Sequence, residues 1–142
     1  MQSRDRILAK VDELQGYLRE LRQIRVNTYQ EYATSIEKRR STERLLQISI
    51  ESVIDICSLI ASGLKLGLPG SEEDLLERVG STAIFQPTTM AKIRGMRSFR
   101  NILVEKYGRI DDQLVYSSLN DELVDFDTII EETLQLLRRG ER

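Results

Sequence analysis

The amino-acid sequence predicts an all-α protein with a single domain over residues 1–142. The chain contains only 8 glycines and 2 prolines, so few positions interrupt a helix. Apolar residues recur every three or four positions over long segments, which is the period of a helix face. The connecting segments are short, and short connections favour antiparallel neighbours. We therefore expect an antiparallel up-and-down bundle of four long helices with one or two short ones.

The first long helix is predicted over about residues 4–26. A single apolar stripe with spacings of 4, 3, 4 and 3 comprises Ile7, Val11, Leu14, Leu18 and Leu21. Charged residues occupy the other faces. The alternating spacings of 3 and 4 suit a seam between two packed helices, within the chain or between subunits. After a break near residues 27–28, Tyr29, Tyr32 and Ala33 predict a short helical turn.

The second long helix is predicted over about residues 35–66 and becomes apolar on nearly all faces in its later part. Such a helix is buried on most sides, so it should be the central helix of the bundle. One polar line interrupts it at offsets of 0, 3, 7 and 11, formed by Arg44, Gln47, Glu51 and Asp55. The line is either a solvated edge or a set of polar side chains that hold site residues in place.

Turn and capping signals place the next two helices. A segment with several glycines and a proline, residues 63–70, ends the central helix. Ser71 followed by Asp74 resembles a capping box and begins a short helix over about residues 72–79. Pro87 fits the first turn of the next long helix, where its missing N–H does no harm.

The last long helix is predicted over about residues 112–138. Its apolar positions keep a helical period for about five turns, at Leu119, Leu123, Phe126, Ile130, Leu134 and Leu137. Arg138 and Arg139 follow at its end, where cations interact favourably with the helix dipole.

Composition restricts the chemistry that the chain can perform. It contains no histidine and one cysteine, Cys57, which lies in an apolar helical run and is expected to be a small buried hydrophobe. A disulfide framework within the chain is excluded, which fits a reducing cytoplasm. The polar N-terminal segment lacks the apolar core of a signal peptide. The sequence also contains no uncharged apolar run of the roughly 18 residues that a membrane span needs. Metal catalysis by histidine and cysteine clusters is nearly excluded, since only carboxylates are left as ligands and these would favour Mg²⁺ or Mn²⁺ over Zn²⁺. We expect no metal and no cofactor.

The net charge of −2 provides no bulk attraction to nucleic acid. A local basic cluster nevertheless occupies eighteen residues and consists of Lys92, Arg94, Arg97, Arg100, Lys106 and Arg109. Taken alone, this cluster fits either a solvated helix face or an RNA-binding patch.

The segment from Arg100 to Tyr107 has the form R-N-x-L-V-E-x-Y. Arginine is a permanent cation that binds a phosphate through two parallel hydrogen bonds. Five residues later, where acid–base chemistry calls for a histidine, the chain has Glu105. On a straight helix, position 105 lies about 140° around the axis from position 100, so one unbroken helix cannot direct both side chains at one point. Either the helix loosens near Val104, or a second copy of the chain completes the site across a two-fold axis.

These segments resemble the HEPN superfamily and, within it, the HepT-like ribonuclease toxins. Residues 43–56 are similar to that group's E-R-x-L-Q-x-x-x-E-x-x-x-D-I pattern, and residues 96–111 are similar to its M-x-x-F-R-N-x-L-V-H-x-Y-x-x-I-D signature. A bare R-x4-H match would be weak, whereas the combined pattern is more specific and covers most of the chain.

The resemblance implies a homodimeric helical bundle that cleaves RNA without a metal, with the motif lining a cleft between subunits. Arg100 would hold the scissile phosphate, Asn101 would position the polar network, and the residue at position 105 would move the proton. The partner would be a minimal nucleotidyltransferase antitoxin of a type VII-like toxin–antitoxin system. It would neutralise the toxin by attaching AMP to the motif tyrosine, here Tyr107.

The basic cluster and the polar line of the central helix would supply supporting residues around the motif. RNA-binding residues would be Arg97, Lys106 and Arg109, and residues supporting the site would be Arg44, Glu51 and Asp55. RNA is the expected substrate, with neither DNA nor a membrane as a partner, and the cytoplasm is the expected location.

The chain departs from the signature at Glu105. A glutamate side chain is ionised at neutral pH and seldom holds a proton that it could donate, whereas histidine titrates near neutrality. The carboxylate also places an anion where an RNA phosphate must lie, and it could pair with Arg100 within or across subunits. We therefore expect weak or no ribonuclease activity, whether the substitution is natural or was introduced.

Two other interpretations stay open at the level of sequence. The chain could be a non-catalytic HEPN module that docks a nucleotidyltransferase or binds a nucleotide. It could also be an unrelated helical bundle, such as a signalling or structural dimer.

Overall fold

The computed structural model describes residues 2–105 and 110–140. The described residues form helices with no strand, which confirms the all-α prediction. The helices are α1 (Gln2–Ile24), α2 (Tyr29–Ala33), α3 (Ile36–Gly63), α4 (Glu72–Gly80), α5 (Pro87–Glu105), α6 (Asp112–Asp121) and α7 (Leu123–Arg139). Four of these are long, and α2, α4 and α6 are short.

The last helix differs from its prediction. Instead of one helix over residues 112–138, the chain forms α6 and α7 with a break at Glu122. Ser118 Oγ donates to Glu122 Oε2 at 3.0 Å, and Asp125 N donates to the Glu122 carbonyl at 3.0 Å. Helix α6 packs on α2 and α3, whereas α7 packs on α5 and α1. The apolar period continues across the break, so the pattern alone does not reveal that the two halves face different neighbours.

Helix α3 is the centre of the bundle, as its apolar composition predicts. It packs most extensively on α1 and also contacts α2, α4, α5 and α6. Val53, Ile56 and Cys57 on α3 are fully buried. Burial raises the pKa of the Cys57 thiol to about 12, so this cysteine behaves as a small hydrophobe and not as a nucleophile.

The apolar stripe of α1 is an internal seam. Its five residues, Ile7, Val11, Leu14, Leu18 and Leu21, are each at most 4% exposed. Because α3 covers this stripe within the same chain, the stripe is not left free as a surface between subunits.

Of the helices in the described ranges, only α3 has the length and hydropathy of a membrane span, with a mean hydropathy of 1.6 over an 18-residue window. More than half of that window, 56%, is buried against the other helices. Packing at the centre of the bundle therefore accounts for its apolar character.

The connector between α3 and α4 fixes where α4 begins. Ser71 Oγ accepts the Asp74 N–H at 3.0 Å, and Asp74 Oδ2 accepts the Gly70 N–H at 2.9 Å, as the capping signal predicts. Gly67 has φ of 92°, and a Cβ at that position would lie 2.6 Å from the Arg78 guanidinium. That guanidinium donates to the Leu66 carbonyl at 2.8 Å, so the turn is tied to α4. The first turn of α4, including Glu72, is thereby held against the bundle.

We predict that Leu14→Ala lowers the free energy of unfolding by about 2–5 kcal/mol, because it removes a fully buried side chain from the α1–α3 seam. Urea unfolding followed by circular dichroism measures the change. The control is Gln15→Ala on the exposed neighbouring position, which should shift stability by less than about 0.5 kcal/mol. Equal effects of the two substitutions would contradict the assignment of this seam as core.

Candidate functional site

Arg100 lies at the centre of a polar cluster between α3, α4 and α5. Its side chain is only 12% exposed. Nε donates to Asn101 Oδ1 at 2.9 Å, Nη2 donates to Glu72 Oε1, and Nη1 lies 4.0 Å from Glu51 Oε2. The guanidinium is therefore held from three sides in one orientation.

Glu72, in the first turn of α4, joins two arginines of α5. Its Oε1 also accepts a hydrogen bond from Arg97 Nε at 3.1 Å. Partial burial opposes ionisation of this carboxyl, but hydrogen bonds from Arg100 and Arg97 and their charges outweigh it and hold the pKa of Glu72 below its ordinary value. The sequence analysis did not single out Glu72. The capping signal at Ser71 predicts that Glu72 lies in the first turn of α4, but it does not predict which helix the Glu72 side chain contacts.

The residues of the polar line on α3 do not converge on one site. Gln47 Nε2 donates to Glu51 Oε2 at 3.2 Å, and the same oxygen of Glu51 approaches Arg100. Asp55 lies instead 3.2 Å from Lys10 Nζ on α1. Arg44 is exposed and makes no hydrogen bond or ion pair within residues 2–105 and 110–140. Eleven residues of helix span about 16 Å, which is too long for one compact site.

Glu105 is the last residue of α5 and is exposed. The helix continues through Val104 without a break, so positions 100 and 105 point in different directions, about 140° apart. No ion pair joins Arg100 and Glu105 within the chain, since the carboxylates near Arg100 are those of Glu51 and Glu72. Of the two geometric possibilities, loosening of the helix near Val104 is not observed.

Three of the residues predicted to function lie outside the described residues, namely Lys106, Tyr107 and Arg109. Among the described residues, Arg97, Arg100 and Asn101 are brought together on consecutive turns of α5, with Glu51 and Glu72 facing them.

The cluster has the chemistry of an anion site whose cation is already engaged. Arg97 and Arg100 supply two positive charges, and Glu51 and Glu72 supply two negative ones. A phosphate that approaches Arg100 must take the place of a carboxylate, while Asn101 keeps the Nε edge fixed. Within the described ranges, no group of three or more histidine, cysteine, aspartate or glutamate side chains is arranged to hold a metal ion.

We predict that Glu72→Gln reduces the loss of stability on acidification. Because the pKa of Glu72 is lowered on folding, its contribution is present above the ordinary value of 4.5 and is lost as pH falls through the lowered value. Urea midpoints at about pH 7 and about pH 3 measure the difference. The matched control is Glu73→Gln, an exposed neighbour without an ion pair in the described structure. An acid dependence equal to that of the unchanged chain would contradict the ionic role of Glu72.

Comparison with known proteins places this geometry in a family. The family model "Ribonuclease HepT-like" matches residues 14–133. A tRNA nuclease HepT from Aphanizomenon flos-aquae (strain 2012/KM1/D3) is 29% identical over 114 residues, which is 80% of this chain and 78% of that protein.

Solved structures share the fold. A toxin–antitoxin complex with AMP-PNP matches with a TM-score of 0.83 at 20% identity, over 93% of this chain and 98% of the other. The tri-AMPylated HEPN toxin of Shewanella oneidensis, in complex with the MNT antitoxin, matches with a TM-score of 0.82 at 21% identity, over 92% and 96%. YutE of Bacillus subtilis, a cytosolic protein of unknown function, matches with a TM-score of 0.75 at 16% identity, over 93% and 91%. Since the family model covers most of the sequence, including α5 with Arg100, the chain belongs to the HepT-like ribonuclease family of HEPN proteins.

Proposed function

We propose that this protein is the toxin of a type VII-like toxin–antitoxin pair, built as a metal-independent endoribonuclease and located in the cytoplasm. Family membership over residues 14–133 supports the ribonuclease class. A relative named as a tRNA nuclease and structural neighbours in toxin–antitoxin complexes support the toxin role. The single observation that carries the site is the largely buried Arg100, oriented by Asn101, Glu72 and Glu51.

The proposed chemistry is attack of an RNA 2′-hydroxyl on the adjacent phosphate, which forms a 2′,3′-cyclic phosphate, breaks the P–O5′ bond and releases the 5′-oxygen, protonated, on the next nucleotide. Arg100 would bind the scissile phosphate and offset the charge that grows on its oxygens. Asn101 would keep the guanidinium in the binding orientation, because it engages Nε and leaves the two terminal nitrogens to face outward from it. Arg97, Lys106 and Arg109 would contact neighbouring phosphates. The proton of the attacking hydroxyl, or of the leaving oxygen, would pass through the residue at position 105.

Glu105 makes this copy a weak or inactive nuclease in the proposal. A carboxylate at that position replaces an imidazole, the group that both accepts and donates protons near neutral pH. Its negative charge also opposes the approach of an RNA phosphate. Glu105 is exposed, and its side chain makes no hydrogen bond or ion pair with any of the described residues.

The proposed active unit is a homodimer. Arg100 and Glu105 diverge along one continuous helix, so a complete pair would require Arg100 of one protomer and position 105 of its partner. A two-fold axis would generate two such sites in one cleft.

A second candidate function is a non-catalytic module that docks a nucleotidyltransferase or binds a nucleotide. Two observations favour it. Glu105 replaces the proton-transfer residue, and the two terminal nitrogens of Arg100 already face the carboxylates of Glu72 and Glu51. A docking module would need neither a free Arg100 nor a proton donor.

We predict that Glu105→His gives the purified protein measurable ribonuclease activity and arrests growth when it is expressed. Histidine both accepts and donates protons near neutral pH, and general acid–base catalysis contributes about 10²–10⁴-fold in rate. Cleavage of a total RNA sample at high enzyme concentration, with a chelator present, measures the gain.

The control is Glu105→His combined with Arg100→Ala, which should lose the gained activity. If Glu105→His leaves RNA intact while the protein still co-purifies with its nucleotidyltransferase, the docking function replaces the catalytic one.

We predict that incubation with the partner nucleotidyltransferase and ATP adds mass to the chain in steps of one AMP, on Tyr107. A phosphodiester on this tyrosine would add negative charge to the motif that carries Arg100 and would repel RNA. Intact-mass spectrometry with peptide mapping measures the modification. Equal labelling of a Tyr107→Phe variant, or labelling confined to another tyrosine such as Tyr116, would contradict this regulation.

A further inference from the structure

A large open cleft lies at one end of the bundle, away from the motif. Its volume is about 880 Å³, within the usual size range of ligand sites. The cleft lies where the connector from α4 to α5 meets the last turns of α7. Its walls combine apolar groups, including Ile84 and Met90, with the side chains of three arginines: Arg94 from α5, and Arg138 and Arg139 from α7.

Within residues 2–105 and 110–140, these three arginines have no carboxylate partner. Six other arginines in those ranges are paired with carboxylates, namely Arg22, Arg39, Arg40, Arg78, Arg97 and Arg100, whereas Arg6, Arg19, Arg25 and Arg44 are not. In the described structure the side chains of Arg94 and Arg138 make no hydrogen bond or ion pair, and the Arg139 side chain makes only a long hydrogen bond, from Nε to the Gln135 carbonyl at 3.5 Å. Three neighbouring positive charges therefore remain uncompensated in one concave place.

The one carboxylate that lines the cleft is already in use. Glu132 Oε1 accepts the Gln86 N–H at 2.8 Å, and Glu132 Oε2 accepts the Thr89 hydroxyl at 2.7 Å. Glu132 thus accepts hydrogen bonds from groups at the start of α5 and is not paired with any of the three arginines. The cleft keeps a net positive charge and is suited to an anionic ligand.

Arg94 connects this cleft to the motif. It lines both the large cleft and a neighbouring depression that contains Arg97. Its Nη2 lies 3.0 Å from where a Cβ on Gly80 would be, so the absence of a side chain at Gly80 lets the guanidinium lie over the end of α4. Arg94, Arg97 and Arg100 follow one another at three-residue steps, about 4.5 Å apart along α5. Arg94 therefore lies between the cleft and the motif in the sequence of α5, in a depression that Glu73 and Glu77 also line.

We propose that this cleft is a second RNA-binding site, in which Arg94, Arg138 and Arg139 bind backbone phosphates of a strand that continues to Arg100. The inference rests on the proposed function in that it takes RNA as the substrate. The contacts are to phosphates, so the cleft adds affinity and orientation without reading base sequence. The buried Phe85, only 3% exposed, is not available for stacking with a base, which is a further reason to assign phosphate contacts here.

Fluorescence anisotropy measures binding of the full-length chain to a fluorescein-labelled single-stranded RNA at several salt concentrations. The test variant carries Arg94→Gln, Arg138→Gln and Arg139→Gln. The matched control carries Arg6→Gln, Arg19→Gln and Arg25→Gln, three exposed arginines of α1 and its end, which gives the same change in net charge. Circular dichroism checks that both variants stay folded.

We expect the test variant to bind RNA at least tenfold more weakly near physiological salt, because three phosphate contacts are lost. We also expect a smaller dependence of the binding constant on salt, since each lost contact to single-stranded nucleic acid reduces the slope by about 0.7, or about 2 for three. The control should keep both the affinity and the slope of the unchanged chain.

Three results would overturn the proposal: unchanged RNA binding by the test variant, an equal loss in the control, or no RNA binding by the unchanged chain. Loss of nucleotidyltransferase binding with RNA binding retained would also overturn it, and would assign the cleft to the protein partner. The same substitutions in the Glu105→His background separate the two proposals. Cleavage with an unchanged KM would reject the cleft and keep the nuclease, whereas weaker RNA binding without cleavage by Glu105→His would keep the cleft and reject the nuclease.

Discussion

The burial of α3 is the constraint on which the rest of the structure depends. A helix that is apolar on most faces is stable only when other helices cover it, and α1, α2, α4, α5 and α6 all pack on it. The polar residues that remain on α3 must then find partners at the points where the covering helices leave room. Gln47 and Glu51 find theirs beside α5, and Asp55 finds Lys10 on α1. The candidate site is thus a consequence of how the core helix is covered.

The Arg100 cluster shows how a largely buried charge is paired at the edge of the core. A guanidinium that is only 12% exposed requires nearby acceptors, and Asn101, Glu72 and Glu51 supply them. The arrangement holds the arginine in one orientation, which favours binding, but it also puts carboxylates where a phosphate would lie. Among the described residues, no carboxylate is paired with the arginines of the second cleft. In this molecule the best-oriented cation is thus engaged by carboxylates, while the uncompensated cations are less constrained.

Much of the fold could be predicted because each long helix has its own apolar period and its own caps. Ser71 and its hydrogen bond to Asp74 show how a local signal determines a helix start. The division of the last helix could not be predicted, because the apolar period runs through Glu122 and only packing against different neighbours requires the break. The role of Glu72 was missed for a related reason. Its partners are 25 and 28 residues away in sequence, and they reach it only because α4 packs on α5 in the folded chain. Arg100 and Asn101 could be identified because the motif that carries them is contiguous.

The geometry of α5 restricts what one chain can do by itself. The helix is continuous from Pro87 to Glu105, so Arg100 faces the α3–α4 side while position 105 faces solvent at the end of the helix. Proton transfer requires heavy atoms within about 2.6–3.2 Å, or one intervening water, and a rotation of about 140° around the axis prevents both side chains from reaching one phosphate. In the proposed mechanism, a single chain would therefore supply the phosphate-binding half of the site without its proton-transfer half. Replacing Glu105 with histidine would then create catalysis only if a second chain brings that residue to Arg100, so the proposed chemistry depends on the proposed dimer.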